Sequence, residues 1–202
     1  MPEKSLVLSK ARRRRYSSYC GDIGPAPDNL LARDFNAELP NQKWLIDITE
    51  FHLPAGKAWL SPVVDCFDDN VVSYSAGTRP DAMLANSMLE SAIDKLQPNE
   101  HPIIHSDRGG HYRRPGWLQR ISSSGLTRSM SRKGCSPDDA ACEGFFGRLK
   151  NEMYYGRNCS GVTLDDFMKQ VDGYIRWYNG YRIKLSLGAV SPETYRQKLG
   201  LI

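Results

Sequence analysis

The sequence predicts an α/β domain with a five-stranded mixed sheet flanked by helices. Two observations support this fold class. Three short β-like segments follow one another between Trp44 and Gly77, and single strands then alternate with helical segments. A chain of 202 residues with 40% hydrophobic residues can bury a sizeable core, which suits one domain with appendages.

The first three strands are predicted at 44–51, 58–67 and 71–77. Their short apolar runs, and the acidic turn at 68–70 between the last two, are typical of antiparallel strands joined as a meander. Turn and strand-end chemistry also accounts for Asp65, so we do not count this carboxylate as catalytic.

A long helix is predicted over 81–97, opened by Pro80 and Asp81. This crossover has a length suited to placing the next strand, predicted at 102–107, parallel to the first. The helix carries an apolar stripe that we assign to the core: Met83, Leu84, Met88, Ile93 and Leu96.

The remaining elements continue the alternation of helices and strands. We predict helix 115–124, strand 126–130, a helix capped by Ser136 with Pro137 at its first position, helix 164–178, and a short helix capped by Ser191. The sheet is then complete at five strands, and the last helices follow it.

The chain divides into three predicted parts. Residues 1–40 contain the Arg12–Arg15 run and many Gly and Pro residues without sustained periodicity, so we interpret them as a basic N-terminal arm or linker. Residues 41–160 form the predicted α/β core. Residues 161–202 form a predicted C-terminal helical extension of that core.

Charge and cysteine usage narrow the class of protein. The formal net charge is +4 with a pI near 8.8, and basic residues concentrate around 108–150, which permits a polyanionic partner. The five cysteines are odd in number and form no CxxC pair, which indicates reduced thiols. A zinc site built from His101, His105, Cys135 and Cys142 has spacings that match no zinc pattern.

Three further patterns are missing from the sequence. No apolar run approaches the ~20 residues of a membrane helix, and no segment resembles a secretory signal. We therefore expect a cytoplasmic protein. The sequence also contains no GxxxxGK[ST] loop, which argues against an ATPase.

Three acidic residues far apart in the chain form the candidate active site. Asp47 falls inside an apolar run, Asp107 closes another, and Glu143 lies in the first turns of a predicted helix. Parallel pairing would bring Asp47 and Asp107 onto neighbouring strands, where ligands gather in open α/β sheets. Because burying an unpaired carboxylate is costly, we expect the three to bind Mg²⁺ or Mn²⁺. Two such ions about 3.5–4 Å apart can support an in-line displacement at phosphorus.

Four motifs carry a resemblance to a known family. They are His105-Ser-Asp107-Arg-Gly-Gly-His-Tyr112, Ser129-Met-Ser-Arg-Lys-Gly134, Ala140-Ala-Cys-Glu143-Gly-Phe-Phe, and Trp177-Tyr-Asn179-Gly-Tyr-Arg182. Together they resemble the integrase-core transposases of bacterial insertion sequences, and the match covers nearly everything from Trp44 to Leu199.

The resemblance implies an RNase H-like fold and a DDE triad of Asp47, Asp107 and Glu143 with two magnesium ions. In the family the first acid bridges both metal ions, and each of the other two acids completes the coordination shell of one ion. The implied reaction is cleavage of element ends followed by transfer of a 3′-hydroxyl onto target DNA. Lys150 matches the lysine that contacts the transposon end. The expected DNA-facing set is Lys150, Asp139, Arg108, Arg132, Lys133 and Arg148.

The chain also departs from the family pattern. Asp139 stands where the family usually has Asn, and Lys184 where it often has His. Relatives carry upstream helix-turn-helix domains, so such a subunit is an expected partner, beside DNA and a second copy of the chain. Two alternatives stay open: a non-catalytic remnant that binds DNA, favoured by Asp139, and an RNase H-like nuclease that only hydrolyses.

Overall fold

The computed structural model describes residues 23–202, apart from the side chain of Ser136; the predicted Arg12–Arg15 run lies outside the described residues. Six strands are present in this range: β1 (Lys43–Ile46), β2 (Thr49–Leu53), β3 (Gly56–Asp65), β4 (Val71–Gly77), β5 (Ile103–Ser106) and β6 (Thr127–Met130). The α-helices are α1 (Ala82–Ile93), α2 (Pro115–Ser123), α3 (Ala140–Met153), α4 (Leu164–Gly180) and α5 (Pro192–Lys198).

The first predicted strand is split into β1 and β2, and the break falls at Asp47 and Ile48. Both halves pair antiparallel with β3 in one continuous register, from Ile46 opposite Val63 to Thr49 opposite Leu60. This register places Asp47 opposite Pro62, a residue with no backbone N–H to donate. When β1 and β2 are counted as one interrupted strand, the sheet has five strands. Their order is β4, β3, β1/β2, β5 and β6.

Helix α1 crosses from β4 to β5 and sets β5 parallel to β1, as the sequence predicts. Lys43 pairs with Ile103, Trp44 with Ile104, and Leu45 with His105. Continuing that register by two residues brings Asp47 level with Asp107. Both carboxylates therefore emerge at the same edge of the sheet, immediately beyond the ends of β1 and β5.

Helices cover both faces of the sheet because successive strand residues point in opposite directions. Trp44 and Ile46 lie in one buried cluster with α1 and α2. Leu45 lies in the other cluster, with the apolar faces of α3 and α4. The result is an α/β/α sandwich with the sheet buried on both sides.

Two local predictions were wrong. Met83 does not belong to the core stripe, since it is 74% exposed. Asp81 caps α1 by accepting a hydrogen bond from the Leu84 amide, and Met83 lies outside the buried face, which comprises Leu84, Ala85, Met88, Leu89 and Ala92. The helix predicted to start at Ser136 begins instead with a 3₁₀ turn over Ser136–Asp139, and α3 starts at Ala140. The Ser191 cap of α5 is confirmed by its hydrogen bond from the Thr194 amide.

The segment before β1 packs along the sheet edge near β6. Met130 donates its backbone N–H to the Asp28 carbonyl, Gly24 donates to the Arg113 carbonyl, and Leu31 is buried. Helix α5 is fixed from the other side by Arg196, which pairs with the buried Asp65 and Asp68 at 2.8 and 2.6 Å. Asp65 therefore has the structural role that the sequence indicates. Within residues 23–202, no helix has the length and apolarity needed to cross a membrane.

Candidate active site

The two strand-end carboxylates are held by backbone amides. Asp47 Oδ1 accepts a hydrogen bond from Ile48 N at 2.7 Å, and Asp107 Oδ1 accepts one from Gly109 N at 2.8 Å. Glycine at this position leaves room for the carboxylate, because a Cβ atom on Gly109 would lie 2.7 Å from Asp107 Oδ1. Sheet register and these short turns together fix where both carboxylates stand.

The third acid comes from α3. Cys142, Phe145, Phe146, Leu149 and Met153 form the buried face of this helix against the sheet. Glu143 lies in its first turn on the side that faces solvent. The hydrophobic face therefore anchors the helix, while Glu143 is presented toward the strand ends.

The carboxylates crowd one another electrostatically. The pKa of Asp47 is raised to about 7. Burial is the largest cause, and the charges of Asp107, Asp139 and Glu143 act in the same direction. Burial also raises the pKa of Asp139 to about 6, again with help from Asp107 and Glu143. Four acidic side chains thus share one negative region, and its crowding disfavours the ionised forms of Asp47 and Asp139.

Two open clefts meet at Asp107. One, of about 300 Å³, is lined by Asp47, Asp107, His111, Tyr112 and Trp59 among others. The second has a mixed lining of acidic and basic residues: Asp107, Arg108, Arg132, Lys133, Asp139 and Glu143. Asp107 and Gly109 line both clefts, so the acidic cluster and a basic rim are contiguous.

No group of three or more His, Cys, Asp or Glu side chains within residues 23–202 converges tightly enough to hold a metal ion. This includes the imagined zinc set of His101, His105, Cys135 and Cys142. The charges of Asp107 and Glu143 are near enough to raise the pKa values of Asp47 and Asp139, yet the four carboxylates do not form a closed coordination shell.

The predicted DNA-facing residues fall into two groups. Lys150 Nζ lies 5.4 Å from the Phe51 ring centroid, and partial burial lowers the pKa of this lysine. Arg108 and Lys133 line the second cleft, with Arg108 Nε donating to the Ser131 carbonyl at 2.9 Å. Arg132, which also lines this cleft, and Arg148 are engaged in ion pairs, with Asp138 at 2.8 Å and Asp69 at 3.4 Å.

Sequence reasoning missed three residues behind the site: His105, Asp138 and Arg33. Asp138 is buried and binds both Arg132 and Arg33. His105 is buried and joins β6 to the start of α3. The position of His105, two residues before Asp107 and on the inner face of a short strand, was the available signal.

Similar folds occur among solved structures of viral integrases. One chain of the simian T-cell lymphotropic virus intasome, in complex with PP2A regulatory subunit B56 gamma, has a TM-score of 0.64 and 22% identity. That match covers 81% of this chain and 56% of the other. The HTLV-2 integrase catalytic core domain in complex with magnesium has a TM-score of 0.59 and 20% identity over 79% of this chain and 98% of that one. The fold is the RNase H-like fold of integrase catalytic cores.

The family follows from sequence similarity. Residues 37–136 and 143–199 match two models, each described as an integrase core domain. The chain belongs to the integrase-core transposases of insertion sequences.

Three relatives illustrate the range of similarity. The chain is 59% identical over its whole length to the protein assigned as transposase of IS1353 in Shigella flexneri, of which it covers 39%. It is 42% identical to InsK of IS150 in Escherichia coli, over 92% of this chain and 65% of that protein. A transposase-like protein of Haemophilus influenzae is 40% identical, over 94% of this chain and 87% of the relative. The chain thus spans less than two thirds of the first two relatives.

Proposed function

We propose that this chain is the catalytic core of a DNA transposase that cleaves element ends and joins a 3′-hydroxyl to target DNA by two-metal-ion phosphoryl transfer. One observation supports this most directly: Asp47 and Asp107 stand level at the ends of parallel strands, and Glu143 is near enough to raise the pKa of Asp47. Carboxylates crowded in this way gain most when a divalent cation neutralises them.

The donor set fits magnesium or manganese. Asp47, Asp107 and Glu143 would supply hard oxygen ligands, and Asp139 adds a fourth carboxylate beside them. Bound cations would supply activation of the attacking hydroxyl and stabilisation of the leaving oxygen. Because no three of these groups converge tightly in the structure, cation binding would draw them closer together.

The chain's own residues prepare the site in three ways. Backbone amides of Ile48 and Gly109 orient two carboxylates before any cation arrives. Lys133 and Arg108 form a basic rim next to Asp107, where they would attract a phosphate backbone. Lys150, one to two turns beyond Glu143, would contact the element end near the reacting phosphate.

Strand transfer provides the main test. The purified chain is incubated with Mg²⁺, a precut element end and target DNA, and covalent joining is measured. We expect Glu143→Gln to abolish joining, and the exposed Glu38→Gln to leave it unchanged as a matched control. Joining that survives Glu143→Gln would exclude this carboxylate from the reaction.

Metal binding provides a second test, independent of DNA. Mg²⁺ or Mn²⁺ should raise the melting temperature, because a ligand that binds only the folded state stabilises it. Asp47→Asn should remove most of that shift. A shift of equal size in the variant would place the cation elsewhere.

The non-catalytic remnant is the second candidate, and Asp139 favours it. The extra carboxylate next to Glu143 would repel DNA phosphate in the absence of metal. An unaltered protein that fails to join DNA, with joining restored by Asp139→Asn, would support this function. Hydrolysis of DNA without any joined product would instead support the nuclease.

We expect the chain to assemble on DNA as a dimer or a larger oligomer, because the proposed reaction joins two ends. The HTLV-2 core is described in dimeric and trimeric forms. Light scattering of the chain with and without end DNA would determine whether copies assemble on it. A helix-turn-helix subunit that recognises element ends remains an expected partner.

A further inference from the structure

A buried histidine connects three separate parts of the chain. His105 Nε2 lies 3.0 Å from the Asp138 carbonyl oxygen, and Nδ1 lies 2.8 Å from Ser129 Oγ. A carbonyl oxygen can only accept, so Nε2 carries the proton and donates to Asp138. Nδ1 then accepts from the Ser129 hydroxyl, whose oxygen accepts from the Leu30 backbone N–H at 2.9 Å. Every member of this chain of hydrogen bonds is satisfied.

The carboxylate of Asp138 closes the network from the other side. Its side chain is fully buried, and Arg132 donates to it from the backbone N, Nε and Nη2 at 3.1, 2.8 and 2.9 Å. Arg33 Nε donates to Oδ1 at 3.0 Å from 105 residues earlier in the chain. The Arg132 guanidinium holds the pKa of Asp138 well below its usual range, so the carboxylate stays ionised.

The network compensates for an uncapped helix start. Neither Cys135, before the 3₁₀ turn, nor Asp139, before α3, makes a side-chain capping hydrogen bond. The first backbone amides of a helix have no partner within it, so an uncapped start frays readily. Asp138 lies directly before Asp139 and is held at both its carbonyl and its carboxylate. Its contacts therefore fix the turn from which Glu143 extends.

We propose that His105 and Arg33 are positioning residues that act through Asp138 to hold the first turn of α3, and with it Glu143, against the strand ends. This inference rests on the proposed role of Glu143 as a metal ligand. Asp47 and Asp107 take their positions from strand register, whereas the position of Glu143, in the first turn of α3, depends on how that helix begins. A site of this kind works only when its groups are held to within about 0.5 Å.

The network includes a segment that precedes the part of the chain matching the integrase core domain. The integrase-core similarity begins at residue 37, and Leu30 and Arg33 precede it. Both contribute hydrogen bonds to the network that ends at Asp138. The segment before β1 thus helps to position the first turn of α3 in the active site.

Two variants of His105 distinguish the effect of its hydrogen bond to Asp138 from that of its hydrogen bond with Ser129. Gln places its amide nitrogen near the Nε2 position and keeps a donor for Asp138, whereas Asn places its amide near Nδ1 and keeps only the contact with Ser129. We expect His105→Gln to need at most about twofold more Mg²⁺ for half-maximal joining, and His105→Asn at least about tenfold more. Equal behaviour of the two variants would overturn the role of the Asp138 bond.

Arg33→Gln tests the other side, and its guanidinium is half exposed, so the variant should fold. Its matched control is Arg120→Gln, because Arg120 also binds one carboxylate through Nε, that of Glu90 at 2.6 Å, away from the site. Hydrogen exchange of the amides in the first turn of α3, measured without metal, should speed up at least about fivefold in Arg33→Gln and stay unchanged in the control.

The two proposals fail in different ways. If the unaltered protein neither binds Mg²⁺ nor joins DNA, the proposed function is wrong, yet exchange in the metal-free protein still reports whether His105 and Arg33 order the first turn. If the unaltered protein is active and Arg33→Gln matches Arg120→Gln in exchange and in Mg²⁺ requirement, the positioning role is wrong. A purely structural role would lower the melting temperature of both arginine variants without moving the Mg²⁺ requirement.

Discussion

Replacing Gly109 with alanine should displace the Asp107 carboxylate without harming the fold. The new Cβ would lie 2.7 Å from Asp107 Oδ1, against the 3.4 Å at which ordinary contact begins, so the carboxylate must move by about 0.7 Å. The contacted atom is the end of a side chain and can move. Gly109 has φ −54° and ψ 141°, which alanine adopts without strain. Stability should therefore hold or rise by about 0.4–1 kcal/mol.

The effect on activity should be much larger than the effect on stability. A displacement of about 1 Å in a reacting group can cost about 100-fold in rate, so a movement of about 0.7 Å should slow DNA joining by about 10- to 100-fold. Urea denaturation measures stability, and a strand-transfer assay at saturating Mg²⁺ measures rate.

The adjacent glycine provides the control. A Cβ on Gly110 would meet no atom within 4 Å, so Gly110→Ala changes the same loop without pushing Asp107. If both variants join DNA equally fast, the position of the Asp107 carboxylate does not limit the reaction. Equal losses in both would point to the loop itself rather than to the carboxylate.

Three further predictions concern stability. Arg182 lowers the pKa of Glu152 through hydrogen bonds of 2.6–3.0 Å. This stabilisation is present above the unfolded pKa near 4.5 and is lost as pH falls through the folded value. Glu152→Gln should therefore cost about 1 kcal/mol at pH 7 and progressively less as the pH of the urea titration falls below about 4.5. Phe145→Ala should cost about 3–5 kcal/mol, because it empties a buried aromatic site; a loss below about 1 kcal/mol would mean the core closes around the gap. Asn179→Ala should cost about 1–3 kcal/mol by calorimetry, since the Asn179 amide bonds both N and O of Val71 at 2.9 Å, and an unchanged melting temperature would contradict that role.

Sequence patterns were sufficient where local chemistry decides the structure. The crossover helix predicted the parallel pairing of β1 with β5, and the end of each apolar run located Asp47 and Asp107 at the sheet edge. The 3.6-residue repeat from Cys142 to Met153 identified the buried face of α3 and left Glu143 outside it.

The features that the sequence did not predict depend on contacts between distant segments of the chain. The ion pair of Arg33 with Asp138 joins residues 105 positions apart, and no periodicity encodes it. The break at Asp47 depends on its partner strand, since the residue opposite is Pro62. The 3₁₀ start of α3 likewise depends on contacts that reach Asp138 from β5 and from the segment before β1.

The level arrangement of Asp47 and Asp107 limits how such a chain can change. Each acid lies four residues beyond a paired position, Lys43 in β1 and Ile103 in β5. Insertions in the loops around α1 leave that four-residue spacing intact. They should also cost little stability, because the entropy of loop closure grows slowly with loop length. One residue inserted within β1 or β5 would turn an acid to the opposite face of the sheet. The loops between the strands can therefore change in length, whereas the number of residues between each acid and its paired strand position cannot.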